Sequence, residues 1–197
     1  MRAFALRLGL LAALAARSWG ASSTPPIEGR FDLRDASSGA RVTQESYQGR
    51  YRLVFFGYTH CPLTCPLGLH TLSRVLSDLG PDAKSVAALF ITIDPARDKA
   101  DVVRRYLAGF DPRITGLVGG PAAIAKAMRS FRLEAERVPG SGGDVFEHPA
   151  IIYVMDRRGH YVDVLPSAGD PATLAARLRI ILKAHGAPRS RAGSGDP

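Results

Sequence analysis

The sequence predicts an α/β fold: a central mixed β-sheet flanked by helices, with a short β-hairpin at its N-terminal end. Three observations carry this. Apolar, β-rich runs alternate with segments of helical period from Tyr51 to Phe131, the pattern of parallel strands joined by helices. Two further strand-like runs, 150–155 and 161–165, follow one another across a turn, which adds an antiparallel pair. Both cysteines of the chain, Cys61 and Cys65, stand where the first long apolar run meets the first helix.

Taken in order, Phe31-Asp32-Leu33 and the stretch around Val42 read as short strands turning through Ser38-Gly39. Tyr51 to Tyr58 is nearly continuously apolar, as a strand buried on both faces must be. Pro66 suits the first position of a helix, where a missing N–H costs nothing. Leu69, Leu72, Leu76 and Leu79 continue that helix to a stop at Gly80-Pro81. Val86 to Ile93 is a second buried strand. Asp98 is the expected N-cap of a helix whose apolar side is Val102, Tyr106 and Phe110. A short strand over 114–118 follows, then a helix from Gly119-Gly120-Pro121 with Ile124, Met128 and Phe131 on one side. Val138 to Glu147 reads as a Gly-rich loop, and a last helix begins near Pro171 and carries Leu174, Leu178, Ile181 and Leu182. With a dithiol at the first strand–helix junction, this order is a thioredoxin-like architecture.

At 197 residues the chain is sized for one domain with a substantial core, and 46% of it is hydrophobic. The formal net charge is +8, but there is no dense Lys/Arg stripe of the kind that marks a nucleic-acid binder. No Gly-x-Gly-x-x-Gly or phosphate-loop pattern follows any strand. Residues 1–20 read as an export signal: Arg2 and Arg7 precede an apolar core, Leu8 to Ala16, and Ser18-Trp19-Gly20 supplies small residues for cleavage before Ala21. That core is too short to cross a hydrocarbon layer of about 30 Å as a helix; an uncleaved, membrane-tethered form is the alternative. The expected organisation is signal 1–20, linker 21–29, one thioredoxin-like domain over 30–186 and a disordered tail over 187–197. The expected compartment is oxidising, the bacterial periplasm.

In that compartment two cysteines suggest a structural disulfide. A bridge between residues four apart closes a very short loop, however, and such loops stabilise least in the chain-entropy model. Chemistry explains the pair better. A thiol at a helix N-terminus lies in positive potential and ionises readily, and the thiolate is both nucleophile and metal ligand. His60 and Arg52 are nearby cations available to support it, and Pro62 and Pro66 stiffen the arch. Two soft sulfurs suit Cu(I), whereas a closed zinc site wants four ligands. A redox dithiol uses the same two residues.

A third metal ligand would come from the five histidines. His60 sits at a strand end, His70 inside the first helix, His160 after a turn and His185 at the end of the last helix. His148, in Glu147-His148-Pro149, stands where a loop enters an apolar strand. In a thioredoxin-like fold that junction is beside the dithiol. On the residues alone, a ligand and an ordinary loop-end histidine both remain open. Asp94, at the carboxyl end of a parallel strand, lies on the edge where sites of such folds gather, and reads first as a turn residue before Pro95.

The motifs together resemble the Sco/SenC family. They are Phe-Phe-Gly-Tyr-Thr-His-Cys-Pro-x-x-Cys-Pro over 55–66, Phe-Ile-Thr-Ile-Asp-Pro-x-Arg-Asp over 90–98, Ile-Thr-Gly-Leu-x-Gly over 114–119, and His148 before a strand and a Met-Asp-x-x-Gly turn. The resemblance runs in order from about Arg50 to Val164. It implies a thioredoxin-like copper chaperone for the dinuclear copper centre of cytochrome c oxidase, with Cys61, Cys65 and His148 as ligands. It implies as partner the copper-receiving oxidase subunit, beside other periplasmic copper chaperones or thiol reductants. The competing reading is a thiol–disulfide oxidoreductase acting on the cysteines of that oxidase site through Cys61 and Cys65. The sequence departs from the family pattern at Leu63-Thr64, where an Asp is usual, and at Glu147-His148-Pro149, where Asp-His precedes Ser or Thr. Glu147 keeps a carboxylate for orienting the imidazole or for balancing the charge of a copper ion, and Pro149 suggests a cis His148–Pro149 bond like that opposite the thioredoxin dithiol.

Overall fold

The sheet is built around two strands that are buried along their whole length. Tyr51–Gly57 (β3) and Val86–Thr92 (β4) pair in parallel, Tyr51 opposite Val86 and Gly57 opposite Thr92. Their apolar runs have no polar face, so only a layer covered on both sides accommodates them. Ile114–Val118 (β5) extends the parallel group beside β4. The remaining strands are antiparallel: Asp32–Asp35 (β1) against β5 and Arg41–Thr43 (β2), and Ile151–Met155 (β8) against β3 and Tyr161–Pro166 (β9). The order across the mixed seven-stranded sheet is β2-β1-β5-β4-β3-β8-β9. The structure, a computed structural model, describes residues 26–140 and 143–185. The expected signal and tail lie outside them. Among the described residues no helix is long and apolar enough to cross a membrane.

Four helices cover the sheet: Thr64–Leu79 (α1), Ala100–Leu107 (α2), Pro121–Phe131 (α3) and Pro171–Ala184 (α4). α1 and α4 pack together, α2 lies on β5 and α3 on β1. Leu69, Leu72, Leu76 and Leu79 are all buried, as the helical spacing requires. The N-terminal hairpin and the closing β8–β9 pair also form as predicted.

Five expectations are corrected. α1 begins at Thr64, two residues before Pro66, so Cys65 belongs to its first turn. Pro66 is still tolerated, because the first four helical N–H groups lack partners in any case. α2 begins at Ala100 with Lys99, not Asp98, at the N-cap. The inward side chains of α2 are therefore Val103 and Leu107, with Tyr106 and Phe110 half-buried beside them. The Asp98 side chain turns into the protein instead.

The stretch from Val138 to Glu147 is not a plain loop. Glu136–Val138 (β6) and Val145–Glu147 (β7) form a two-stranded antiparallel hairpin, Arg137 opposite Phe146. Gly140 and Gly143 lie between its strands, where the Gly143 N–H donates to the Gly140 carbonyl. Finally, no peptide bond among the described residues is cis. Pro149 is exposed rather than wedged against the dithiol, so nothing offsets the trans preference of about 0.5–1 kcal/mol at an X–Pro bond.

Close approach sets several glycines, and two of them bear on the site strand. Gly159, at φ +93°, lies against the guanidinium of Arg52, and a Cβ there would collide with it. Gly57 ends β3 beneath the cysteine arch; a Cβ there would lie 2.9 Å from Phe90 Cε2 and 3.0 Å from Cys65 Sγ. Both neighbours are buried and cannot swing away. Gly57→Ala is accordingly expected to cost about 1–3 kcal/mol of unfolding free energy by overpacking, measured by chemical denaturation. Unchanged stability would show that the sulfur has room to spare.

Candidate metal centre

Cys61 and Cys65 converge at the carboxyl end of β3 because the chain turns from strand to helix there. Tyr58 ends the buried run, the Cys61 N–H donates to the Tyr58 carbonyl at 3.3 Å, and α1 starts three residues later. The Cys65 backbone N–H then points at Cys61 Sγ, 3.3 Å away, and the Thr64 hydroxyl lies 3.1 Å from the same sulfur. Both cysteines are free and buried; Cys61 retains 7% of its surface and Cys65 1%.

These contacts make the two sulfurs unequal. The Cys65 thiol, donating to Cys61, does most to hold Cys61 down at about 4; the Thr64 hydroxyl and the N–H groups of Cys65 and Leu63 add to this, against the opposing effect of burial. Cys65 is pushed well up, first because its proton is committed to Cys61 and then by burial, with the charge of Asp98 adding to it. At neutral pH the arch therefore holds one thiolate, nearest the surface, and one deep protonated thiol. Leu63 and Thr64 stand where the family pattern has an acid; Thr64 contributes a neutral hydroxyl and Leu63 is exposed at the tip.

His148 follows directly on β7. Its Nδ1 lies 3.1 Å from the Pro149 carbonyl, which can only accept, so Nδ1 carries the proton and the Nε2 lone pair is free. That is the tautomer a metal ligand needs, and the backbone carbonyl sets it. Glu147, expected to orient the ring, is exposed and makes no hydrogen bond to it among the described residues. Burial lowers the His148 pKa, against the Pro149 carbonyl and the Cys61 charge, which both raise it. The imidazole is therefore neutral at pH 7, and close enough to the arch to feel Cys61. No group of three His, Cys, Asp or Glu side chains among the described residues is gathered tightly enough to hold a metal ion. The two cysteines are together; His148 stands off from them.

The other histidines lie apart. His60 is exposed, 3.0 Å from the Thr59 hydroxyl. His70 packs on Phe110, His160 lies near Asp156, and His185 caps α4. Arg52 sits at the far end of β3, opposite Met155, and donates to the Gln44 carbonyl at 2.8 Å. It supports the fold at that end and gives the thiolate nothing.

Two contacts that sequence reasoning missed hold the hairpin bearing His148. The Phe146 N–H donates to the Tyr58 hydroxyl at 3.1 Å, with the two rings edge to face. Arg97 lies over the Tyr58 ring, pairs with the buried carboxylate of Asp94, and donates to the Asp144 carbonyl at 3.0 Å. Tyr58 directly before the cysteine loop, and Arg97 in the Asp-Pro-x-Arg-Asp run, were the signals present in the sequence.

A mixed sheet whose first core strand ends in a dithiol under a helix N-terminus defines a thioredoxin-like protein. The comparisons take the assignment further. The SCO1/SenC family pattern matches residues 20–183, and the chain belongs to that family. A zebrafish protein, SCO2 homolog, mitochondrial (Danio rerio), is 34% identical over 160 residues, covering 79% of this chain and 57% of that protein. The chain thus spans little more than half the length of the curated relatives it matches. The structure of Bradyrhizobium japonicum ScoI with copper bound aligns with a TM-score of 0.72 at 44% identity, covering 78% of this chain and 98% of that one. Yeast Sco1 with copper bound aligns at 0.75 and 29%, covering 87% and 96%.

The unequal thiols make a testable pattern. Because the Cys61 pKa is depressed, its thiolate persists as pH falls and is lost only as pH drops through about 4. Iodoacetamide should therefore modify Cys61 selectively, at a rate nearly flat between about pH 8 and 5, whereas an ordinary thiol loses reactivity below about 8.5. Mass spectrometry of the modified peptide reads both site and rate; a midpoint above 8 would contradict the arrangement.

Proposed function

We propose that this chain is a copper carrier whose site is Cys61, Cys65 and His148. The observation that carries the reading is the arch itself: a thiolate and a thiol beneath one helix N-terminus, with a neutral histidine within reach of the Cys61 charge. Two sulfurs and an imidazole are a soft donor set matched to Cu(I). When copper binds, Cys65 gives up its proton and both sulfurs serve as thiolates. His148 is brought in by a small shift of the β6–β7 hairpin. A ligand that arrives last also leaves first, which suits a protein that hands its metal on by ligand exchange.

The copper-bound structures of similar proteins support the cargo. Family membership supports the destination: the copper-receiving subunit of cytochrome c oxidase, during assembly of that complex. Residues 1–20 would direct the chain to the periplasm, where other copper chaperones or thiol reductants supply it. The thioredoxin-like domain spans 30–186.

One observation favours a second activity at the same site. A surface thiolate backed by a protonated buried thiol is also the arrangement of a thiol–disulfide exchanger, attacking through Cys61 and resolving through Cys65. It would reduce the cysteines of the oxidase copper site before metal arrives.

The two readings part at His148. His148→Ala is expected to weaken Cu(I) binding by more than the roughly 10–100-fold typical of losing an outer-shell partner, measured by competition with a Cu(I) chelator. The unfolding midpoint should hardly move, since the side chain is only half-buried. Unchanged copper affinity, with thiol exchange retained, would leave the oxidoreductase reading alone.

A further inference from the structure

The Asp94–Asp98 segment between β4 and α2 holds two buried carboxylates that the copper chemistry does not use. The segment is closed on itself: the Asp98 N–H donates to the Asp94 carbonyl at 2.9 Å, and the Asp94 N–H to the Thr92 hydroxyl at 3.0 Å. Asp98 reaches one way. Its Oδ1 accepts from the Thr59 hydroxyl at 2.6 Å, and its Oδ2 accepts from the Thr59 N–H at 3.1 Å and the Thr92 hydroxyl at 2.6 Å. Thr59 is two residues before Cys61. Arg97, adjoining Asp98, reaches the other way. Anchored on Asp94, it donates to the Asp144 carbonyl and covers the Tyr58 ring, so it grips the hairpin that ends in His148.

We propose that Asp94–Asp98 is a two-armed bracket, with Asp98 positioning the cysteine arch and the Asp94–Arg97 pair positioning the His148 hairpin. The two halves of the site come from segments more than eighty residues apart, and this short turn touches both. A buried carboxylate with three donors is rigid, so the arch has little freedom. Arg97 is partly exposed and makes a single bond to the hairpin backbone, so that arm is the yielding one. The bracket thereby sets which ligand moves. What it serves rests on the copper reading above; its geometry does not.

The test separates the arms. Arg97→Lys keeps a cation beside Asp94 but loses the planar fork that reaches two acceptors at once. It should speed amide hydrogen exchange across Val145–Glu147 by about tenfold or more, leaving the Cys61 alkylation rate as it was. Asp98→Asn should do the reverse, changing Cys61 alkylation and the midpoint potential of the Cys61–Cys65 couple while hairpin exchange stays put. Thr59→Ala, which removes one donor to Asp98 from the loop side, repeats the second result should Asp98→Asn fold poorly. With Cu(I) as probe, Arg97→Lys should weaken binding about tenfold in the parent and not at all in a His148→Ala background, the mark of full coupling. Hairpin exchange unchanged in Arg97→Lys, or Cys61 rates untouched by Asp98→Asn and Thr59→Ala, overturns the bracket. So does a result in which every variant moves both readouts in step with a lowered unfolding temperature. If His148→Ala alone leaves copper affinity intact, the copper reading fails, and exchange and alkylation still decide the bracket.

Discussion

The Thr59 N–H and hydroxyl are both given to the buried carboxylate of Asp98, and where the cysteine arch leaves β3 depends on that pairing. A carboxylate removed from water is costly unless its oxygens are satisfied. Three donors satisfy this one, two of them from the residue at the root of the arch and one from the end of β4. The arch is thereby tied to the neighbouring strand as well as to its own. The helix that begins at Thr64 then starts from a fixed point, and the Cys65 N–H meets Cys61 Sγ as a consequence of that start. Gly57 completes the constraint from below, since a Cβ there would crowd the Cys65 sulfur at 3.0 Å.

The difference between the thiols follows from the hydrogen bond between them and then from depth, rather than from any nearby cation. Arg52 is at the other end of the strand, and His60 turns its Nδ1 to the Thr59 hydroxyl, 3.8 Å from the Asp98 carboxylate. Donors alone, the Cys65 thiol first among them, stabilise charge on Cys61, while the hydrogen bond to Cys61, and then burial, keeps the proton on Cys65. A site that needs no cation to hold its thiolate leaves that charge free to attract one. Copper binding and thiol exchange thus draw on a single feature, and His148 is the element that distinguishes them.

Much of this was legible in the sequence, for identifiable reasons. β3 and β4 announce themselves because strands buried on both faces are long apolar runs, and the Leu spacing of α1 admits one face only. The cysteine arch was legible because turn and helix signals bracket it. The β6–β7 hairpin was not: strands of three residues carry no readable period, and the glycines between them read as loop. Asp98 before a helix looks the same in sequence whether it caps that helix or turns inward, and only the Thr59 contact, 39 positions away, distinguishes the two. With the N-cap one residue later, at Lys99, the inward face of α2 carries Val103 rather than Val102. The Arg97 bond to a backbone carbonyl, 47 positions away, leaves no trace in residue types at all. The trans His148–Pro149 bond shows the limit of reasoning from a related fold, since Pro149 here is exposed.

In the proposed site one imidazole and two sulfurs meet on one copper ion, although the histidine stands off from the arch in this structure. X-ray absorption at the copper edge of the Cu(I)-loaded protein tests this most directly. Two sulfur scatterers and one nitrogen are expected, with the nitrogen lost in His148→Ala. A shell of sulfur alone in the parent protein, unchanged by that substitution, would contradict it.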